Sequence, residues 1–218
     1  MTMELTMALL SIILIDIVLS GDNAVVIALA CRNLPEKLRK KAVIIGCAGA
    51  IGLRVLLTFL AVYLLEIPYV QFIGGLMLVW IAVKLLKGEE EHQLEGGSTI
   101  WSAIKTIIVA DFVMSLDNVV AVAGVANGHT GLLVIGLLVS IPLIIWGSQI
   151  LIKLMERFPI IVAFGSALLG YTAGTMMMHD KIIGKFITEH FQAGQYVVPI
   201  GLAVLVVVIG KLASKRSK

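Results

Sequence analysis

Charge is scarce in this chain: Asp, Glu, Lys and Arg together make up 14% of its 218 residues. Soluble domains carry about 25%, so an ordinary soluble fold is excluded. Aromatic residues are few as well, at 6%, which argues against a ring-walled site for an organic solute. The net charge is only +3, and its basic residues border apolar runs, where anionic lipid headgroups suffice as partners and a nucleic-acid surface is not required. Two cysteines occur, Cys31 and Cys47. Both fall near the ends of the first two apolar runs, on the side where thiols stay reduced, and neither is assigned a disulfide or a metal. The first apolar run lacks the basic flank and the small-residue cleavage site of a signal peptide and is expected to be retained.

What fills the chain instead is apolar sequence, with 59% hydrophobic residues and a mean hydropathy of +1.03. Runs close to the roughly 20 residues needed to cross a bilayer cover about 5–30, 42–65, 69–87, 100–126, 132–152, 159–178 and 196–213. The expectation is an all-α polytopic membrane protein of seven transmembrane helices. Loop charge orients it, because Lys and Arg favour the cytoplasmic side. Thirteen basic residues share one side, from Arg32, Lys37, Arg39, Lys40 and Lys41 through Lys84, Lys87, Lys153 and Arg157 to Lys211, Lys215, Arg216 and Lys218. The other side has Lys181 and Lys185. The N-terminus is therefore expected outside and the C-terminus in the cytoplasm, in a multi-pass plasma-membrane protein.

Within the apolar runs one pattern occurs twice. The segment Asp16–Ala28 matches Asp111–Ala123 at seven of thirteen positions, and the matches include every polar side chain: Asp16, Ser20, Asp22 and Asn23 against Asp111, Ser115, Asp117 and Asn118. Further on, Gly46 aligns with Gly136, and Pro68, Gly74, Leu78, Trp80 and Ala82 align with Pro159, Gly165, Leu169, Tyr171 and Ala173. The first three spans are thus duplicated in the next three. Three is odd, so the second copy must enter the membrane inverted, as in many secondary transporters. The organisation read from this is a single membrane domain over 1–218, with repeat A at about 5–87, a cytoplasmic linker at 88–99, an inverted repeat B at about 100–178, and a seventh helix at about 196–213.

Four of the five aspartates sit in the two motifs, although an ionised aspartate at mid-bilayer costs roughly 2.5–3.5 kcal/mol. At about 100° per residue, Asp16, Ser20 and Asn23 share a helical face, as do Asp111, Ser115 and Asn118. Asp22 and Asp117 point elsewhere, so either neighbouring helices complete the site or the helix loosens at Ser20-Gly21, where glycine permits it. The second motif has Leu116 at that place, which restricts loosening to one half. Carboxylate, amide and hydroxyl oxygens are hard donors and suit Mg, Ca or Mn. Arg54, in the middle of the second span, either balances the acids or is a fixed structural counter-ion. Lys105 is expected to snorkel to the interface. Met77, Met114 and Met176–Met178 read as apolar filler, glycines 46, 49, 52, 165, 170 and 174 as close-packing positions, Pro142 as a kink, and His92, His129, His179 and His190 as exposed.

Two copies of Asp-x(3)-Ser-x-Asp-Asn in a seven-span chain resemble the TerC family of integral membrane proteins, and within it the YjbE-like branch. The resemblance covers nearly the whole chain. It implies a seven-helix fold related to the LysE-type exporters and manganese efflux from the cytoplasm, with Asp16, Asp22, Asn23, Asp111, Asp117 and Asn118 as metal ligands and Ser20, Ser115 and Arg54 in support. Some members carry further soluble domains, which this chain is expected to lack. The leading reading is export of Mn2+ as substrate by alternating access, with no prosthetic group, protons as counter-substrate, and an oligomer admitted. Three alternatives are polar glue between helices, an intramembrane aspartyl-type hydrolase, and a LysE-like exporter of a small organic solute. For the hydrolase, Ser20-Gly21-Asp22 offers only part of the Gly-x-Gly-Asp pattern.

Overall fold

The computed structural model describes residues 21–64, 67–87, 97–126 and 130–216. They form eight helices: α1 (Gly21–Cys31), α2 (Glu36–Leu64), α3 (Val70–Lys87), α4 (Gly97–Ala126), α5 (Thr130–Arg157), α6 (Ile160–His179), α7 (Ile183–His190) and α8 (Gly194–Arg216). No strand occurs among the described residues. By length and composition, α3, α6 and α8 are apolar enough to cross a membrane. Helices α2, α4 and α5, at 29, 30 and 28 residues, exceed the roughly 20 residues that hydrocarbon requires. The stretch 5–20 of the first apolar run lies outside the described residues.

Helix boundaries follow local chemistry. Pro35 precedes α2, and its carbonyl accepts the N–H groups of Leu38 and Arg39. Pro159, with φ −57, opens α6 in backbone geometry that is already helical. Lys84 and Lys87 close α3, where cations complement the helix dipole. The turn into α3 contains Tyr69 at φ 64, a left-handed conformation that costs a side-chain-bearing residue energy. Helix α5 continues through Pro142, so the proline interrupts no helical assignment. At the basic end, Arg39 ties α2 to α5: its Nη2 donates to Glu156 Oε1 at 2.6 Å and to the carbonyl oxygens of Arg32 and Leu34.

Helix α1 is the buried centre. Asn23 to Leu29 and Cys31 are all buried, and α1 packs on α4, α5 and α6. Around it, α2 lies along α4, while α6 lies between α3 and α8. Large apolar side chains on the outside, among them Leu56, Phe164, Val204 and Leu212, are exposed, as are all three tryptophans, Trp80, Trp101 and Trp146. An apolar outer surface of this extent belongs against another apolar phase. Lys105 is exposed, in keeping with a snorkelling side chain.

Without a hydrophobic drive between helices in lipid, association rests on close van der Waals packing at small residues. A methyl group added at Gly46 would fall 2.8 Å from Ile107 Cδ1, and one at Gly49 2.7 Å from Ile108 Cδ1, which fixes the α2–α4 seam. One added at Gly170 would meet the Leu202 carbonyl oxygen at 2.8 Å, and one at Gly174 would collide with the Pro199 backbone, which fixes α6 on α8. Gly165 faces Val25. Gly52 departs from the expectation, since nothing lies within 4 Å of an added methyl there. Met176 and Met177 fill the space over Gly74 and Gly75 and Met114 is buried, so these methionines are filler, as expected; Met77 is 40% exposed.

Helix α7 falls between the sixth and seventh apolar runs, in a segment for which the sequence predicts no span. Its eight residues are too short to register beside runs of spanning length. It is positioned by Asp180, the fifth aspartate, which is 3% exposed. Oδ1 accepts the backbone N–H of Ile182 and of Ile183, each at 3.0 Å, while Oδ2 accepts the N–H of Phe72 in α3 at 3.3 Å. Gly184 follows, where any side chain would strike the Met178 carbonyl.

The seam of α6 and α8 gives a direct test. Gly174→Ala should destabilise the detergent-solubilised protein by about 1–3 kcal/mol through overpacking, whereas Gly52→Ala should be neutral or stabilising by up to about 1 kcal/mol through helix propensity. Thermal unfolding of the two variants side by side would contradict this packing if their order were reversed.

Candidate functional site

The polar interior is assembled from α1, α2, α4 and α6. Arg54 of α2 is 8% exposed. Its Nη2 donates to Asp111 Oδ1 of α4 at 2.5 Å, and its Nε–H donates to Ser115 Oγ at 3.1 Å. The Ser115 hydroxyl in turn donates to Asp111 Oδ2 at 3.3 Å. Asp111 and Ser115 are one turn apart on a helix that runs unbroken through Leu116, so the spacing of four residues places them on one face, as expected. Each member of the network satisfies another, which burial demands: removing one partner of a buried ion pair costs about 3–5 kcal/mol.

Beside this network lies Asn23 of α1, 4% exposed. Neither its amide nitrogen nor its amide oxygen has a hydrogen-bond partner among the described residues. An unsatisfied buried amide costs about 1–3 kcal/mol. Asn23, Arg54 and Asp111 line one cavity of about 40 Å³, together with Cys47, Ile107 and Ile144. A single water needs about 10–15 Å³ by the same measure, so the space admits an ion with a water or two.

Asp22 precedes Asn23 on α1. Its Oδ1 accepts the Asn23 backbone N–H at 2.9 Å, and its Oδ2 accepts the Thr172 hydroxyl of α6 at 3.5 Å.

Of the residues singled out from sequence, Asp22, Asn23, Arg54, Asp111 and Ser115 are placed in this interior. Asp16 and Ser20 lie outside the described residues, and with them the expected loosening before Gly21. Asp117 and Asn118 are helical positions of α4, and their side chains lie outside the described residues. Among the described residues no three His, Cys, Asp or Glu side chains stand together as a metal cluster. Both cysteines are free and buried. His179 and His190 are exposed; His92 and His129 lie outside the described residues. Sequence reasoning missed Thr172 as the Asp22 partner and Cys47 as a wall of the cavity. A lone Thr or Cys in an apolar span carries no spacing signal.

These features define a class: a helical integral membrane protein with an ion-paired carboxylate site buried in its bundle. The chain matches the model of the family described as "Integral membrane protein TerC family" over residues 1–218, and it belongs to that family. It is 47% identical to the Bacillus subtilis (strain 168) membrane protein YjbE over 185 residues, 84% of each chain. It is 26% identical to the membrane protein YceF of the same organism, over 75% of this chain and 67% of that one. The Escherichia coli (strain K12) inner membrane protein YoaE is 22% identical over 95% of this chain but only 43% of its own length. No solved structure matches.

The unpartnered Asn23 amide yields a prediction. Asn23→Leu, which keeps the volume and removes the polar group, should leave the ion-free protein as stable or more stable. If the site takes a divalent cation such as Mn2+, saturating ion should raise the wild type's melting temperature by the equivalent of about 2.7 kcal/mol at a hundredfold excess over Kd, and the same variant should lose most of that rise. A destabilised ion-free variant that kept the whole metal-dependent rise would contradict the assignment of Asn23 to the site.

Proposed function

We propose that this protein exports a divalent cation, Mn2+, from the cytoplasm across the plasma membrane by alternating access at the buried site. The observation that carries the reading is the cavity where Asn23, with its unpartnered amide, meets the Arg54–Asp111–Ser115 network. A buried amide without a partner among the described residues, beside a carboxylate, offers hard oxygen donors, and these favour Mn, Mg or Ca. The cavity volume admits an ion, and TerC membership favours transport over hydrolysis.

In this reading the metal ligands are Asp16, Asp22, Asn23, Asp111, Asp117 and Asn118, with Ser20, Ser115 and Arg54 in support. The chain has seven spans, with an N-terminus outside and a C-terminus in the cytoplasm. Repeat A (about 5–87) and an inverted repeat B (about 100–178) rock about the shared site, and protons are the counter-substrate. Helix pairing supports the duplication. The α2 helix packs on α4 as α5 packs on α1, and α3 packs on α4 as α6 packs on α1, which is the exchange a two-fold relation between halves requires. Coupling to protons follows from charge: several carboxylates cannot remain ionised together in a low dielectric once a dication leaves.

Reconstitution tests the reading. Manganese-loaded proteoliposomes bearing the wild type should release the ion, and Asp22→Asn and Asp117→Asn should each cut the flux at least about tenfold, the scale on which metal-site substitutions act. Gel filtration must show both variants folded. Flux carried equally well by folded Asp22→Asn and Asp117→Asn would sink the carboxylate site, and a wild type inert to Mn2+ under either pH gradient would sink manganese export.

A further inference from the structure

The two halves of the site differ in one respect that their duplicated motifs conceal. The offset of 90 that aligns Gly46 with Gly136 carries Arg54 onto Ile144. Both residues line the same cavity. One wall therefore presents a guanidinium where its counterpart presents a butyl group, and the cation belongs to one half only.

That cation already occupies the place a metal would take. Both Asp111 oxygens have donors: Oδ1 accepts from Arg54 Nη2 at 2.5 Å, and Oδ2 accepts from Ser115 at 3.3 Å. Ser115 is itself held by Arg54 Nε at 3.1 Å. A dication drawing on Asp111 would approach a guanidinium of like sign in a buried, weakly screened space. Each Asp111 oxygen keeps a further lone pair, but a metal drawing on it would sit against the guanidinium, so the two cations compete for this carboxylate. Asn23, on the same cavity, keeps both amide atoms without a partner among the described residues, so part of the site is open to a ligand while Asp111 is already ion-paired.

We propose that Arg54 is a tethered surrogate cation: it fills the Asp111 half of the site when no metal is bound, is displaced from Asp111 on loading, and neutralises the empty site for its return across the membrane. The inference rests on the transport reading above. It assigns Arg54 a positioning role in the cycle and not merely a fixed counter-charge. A fixed counter-ion would support loaded and empty forms alike. A surrogate is needed only when the site moves without metal.

This difference separates net transport, which requires an empty return step, from exchange of metal for metal, which does not. Proteoliposomes bearing the full chain would be assayed in both modes at one pH: net manganese efflux into metal-free buffer, and exchange of radiolabelled manganese at equal concentrations on both sides. The wild type should support the two at rates of the same order. Arg54→Gln should retain exchange but lose net efflux by about tenfold, within the usual range of coupling between sites. It should also bind Mn2+ more tightly, because the competitor is gone. Arg54→Lys, which keeps a tethered charge, should recover much of the net flux.

Parallel loss of both modes in a folded Arg54→Gln, retention of both, or weaker metal binding would overturn the inference and leave export standing. If Arg54→Gln fails to fold, Arg54→Lys and the wild type still decide. Exchange far faster than net efflux in the wild type, or Arg54→Lys deficient in both modes alike, would overturn it. A wild type that moves manganese in neither mode would overturn the transport reading itself, and this inference with it.

Discussion

An ionised group inside a membrane bundle must be matched where it stands, because neither water nor salt is there to screen it. The Arg54–Asp111–Ser115 network is that constraint made visible. Among the described residues the guanidinium donates through Nε and Nη2 and the carboxylate accepts at both oxygens, so while it stands the pair holds the register of α2 on α4. The Ile107 and Ile108 contacts with Gly46 and Gly49 repeat that register about two turns away. Electrostatics and small-residue packing therefore specify the same seam, and agreement between levels is what singles out one arrangement among many.

The rest of the bundle inherits its geometry from this seam. Helix α1 cannot shift alone, since Asn23 to Leu29 and Cys31 are buried and the helix packs against α4, α5 and α6. Asn23 and Asp22 are carried on it, so the apolar packing of Val25, Val26 and Leu29 helps to set the distance of the first motif from Asp111. A site of this construction keeps its shape while its oxygen donors remain available. The unpartnered amide of Asn23 is tolerable because the surrounding core is extensive enough to offset its cost.

Much of this was legible from the residues alone. Acidic and amide side chains recurring at fixed spacing inside apolar runs are rare enough to mark an interior site, and a spacing of four puts Asp111 and Ser115 on one face wherever the helix is regular. Arg54 was recognisable because a mid-span cation has few other fates. Other features gave no such signal. Thr172 meets Asp22 through tertiary contact between α6 and α1, which no local pattern encodes. Gly52 reads like Gly46 and Gly49 but lies off the contact face, since the added methyl finds open space. Helix α7 escaped because hydropathy over span-length windows averages away eight residues. Yet an aspartate two and three residues ahead of Ile182 and Ile183, with Phe186 and Ile187 following at helical spacing, is a legible start signal at a finer scale.

The bond from Asp180 to Phe72 has a mechanical meaning beyond the placing of α7. One buried carboxylate holds the first turn of α3 and the far end of α6 together, and the methionines over Gly74 and Gly75 continue that junction inward. Prising the two helices apart at this end would take the Phe72 backbone N–H away from that carboxylate. Helices α3 and α6 are consequently tied at this end, so a rocking of repeat A against repeat B must pivot about this tie or break it.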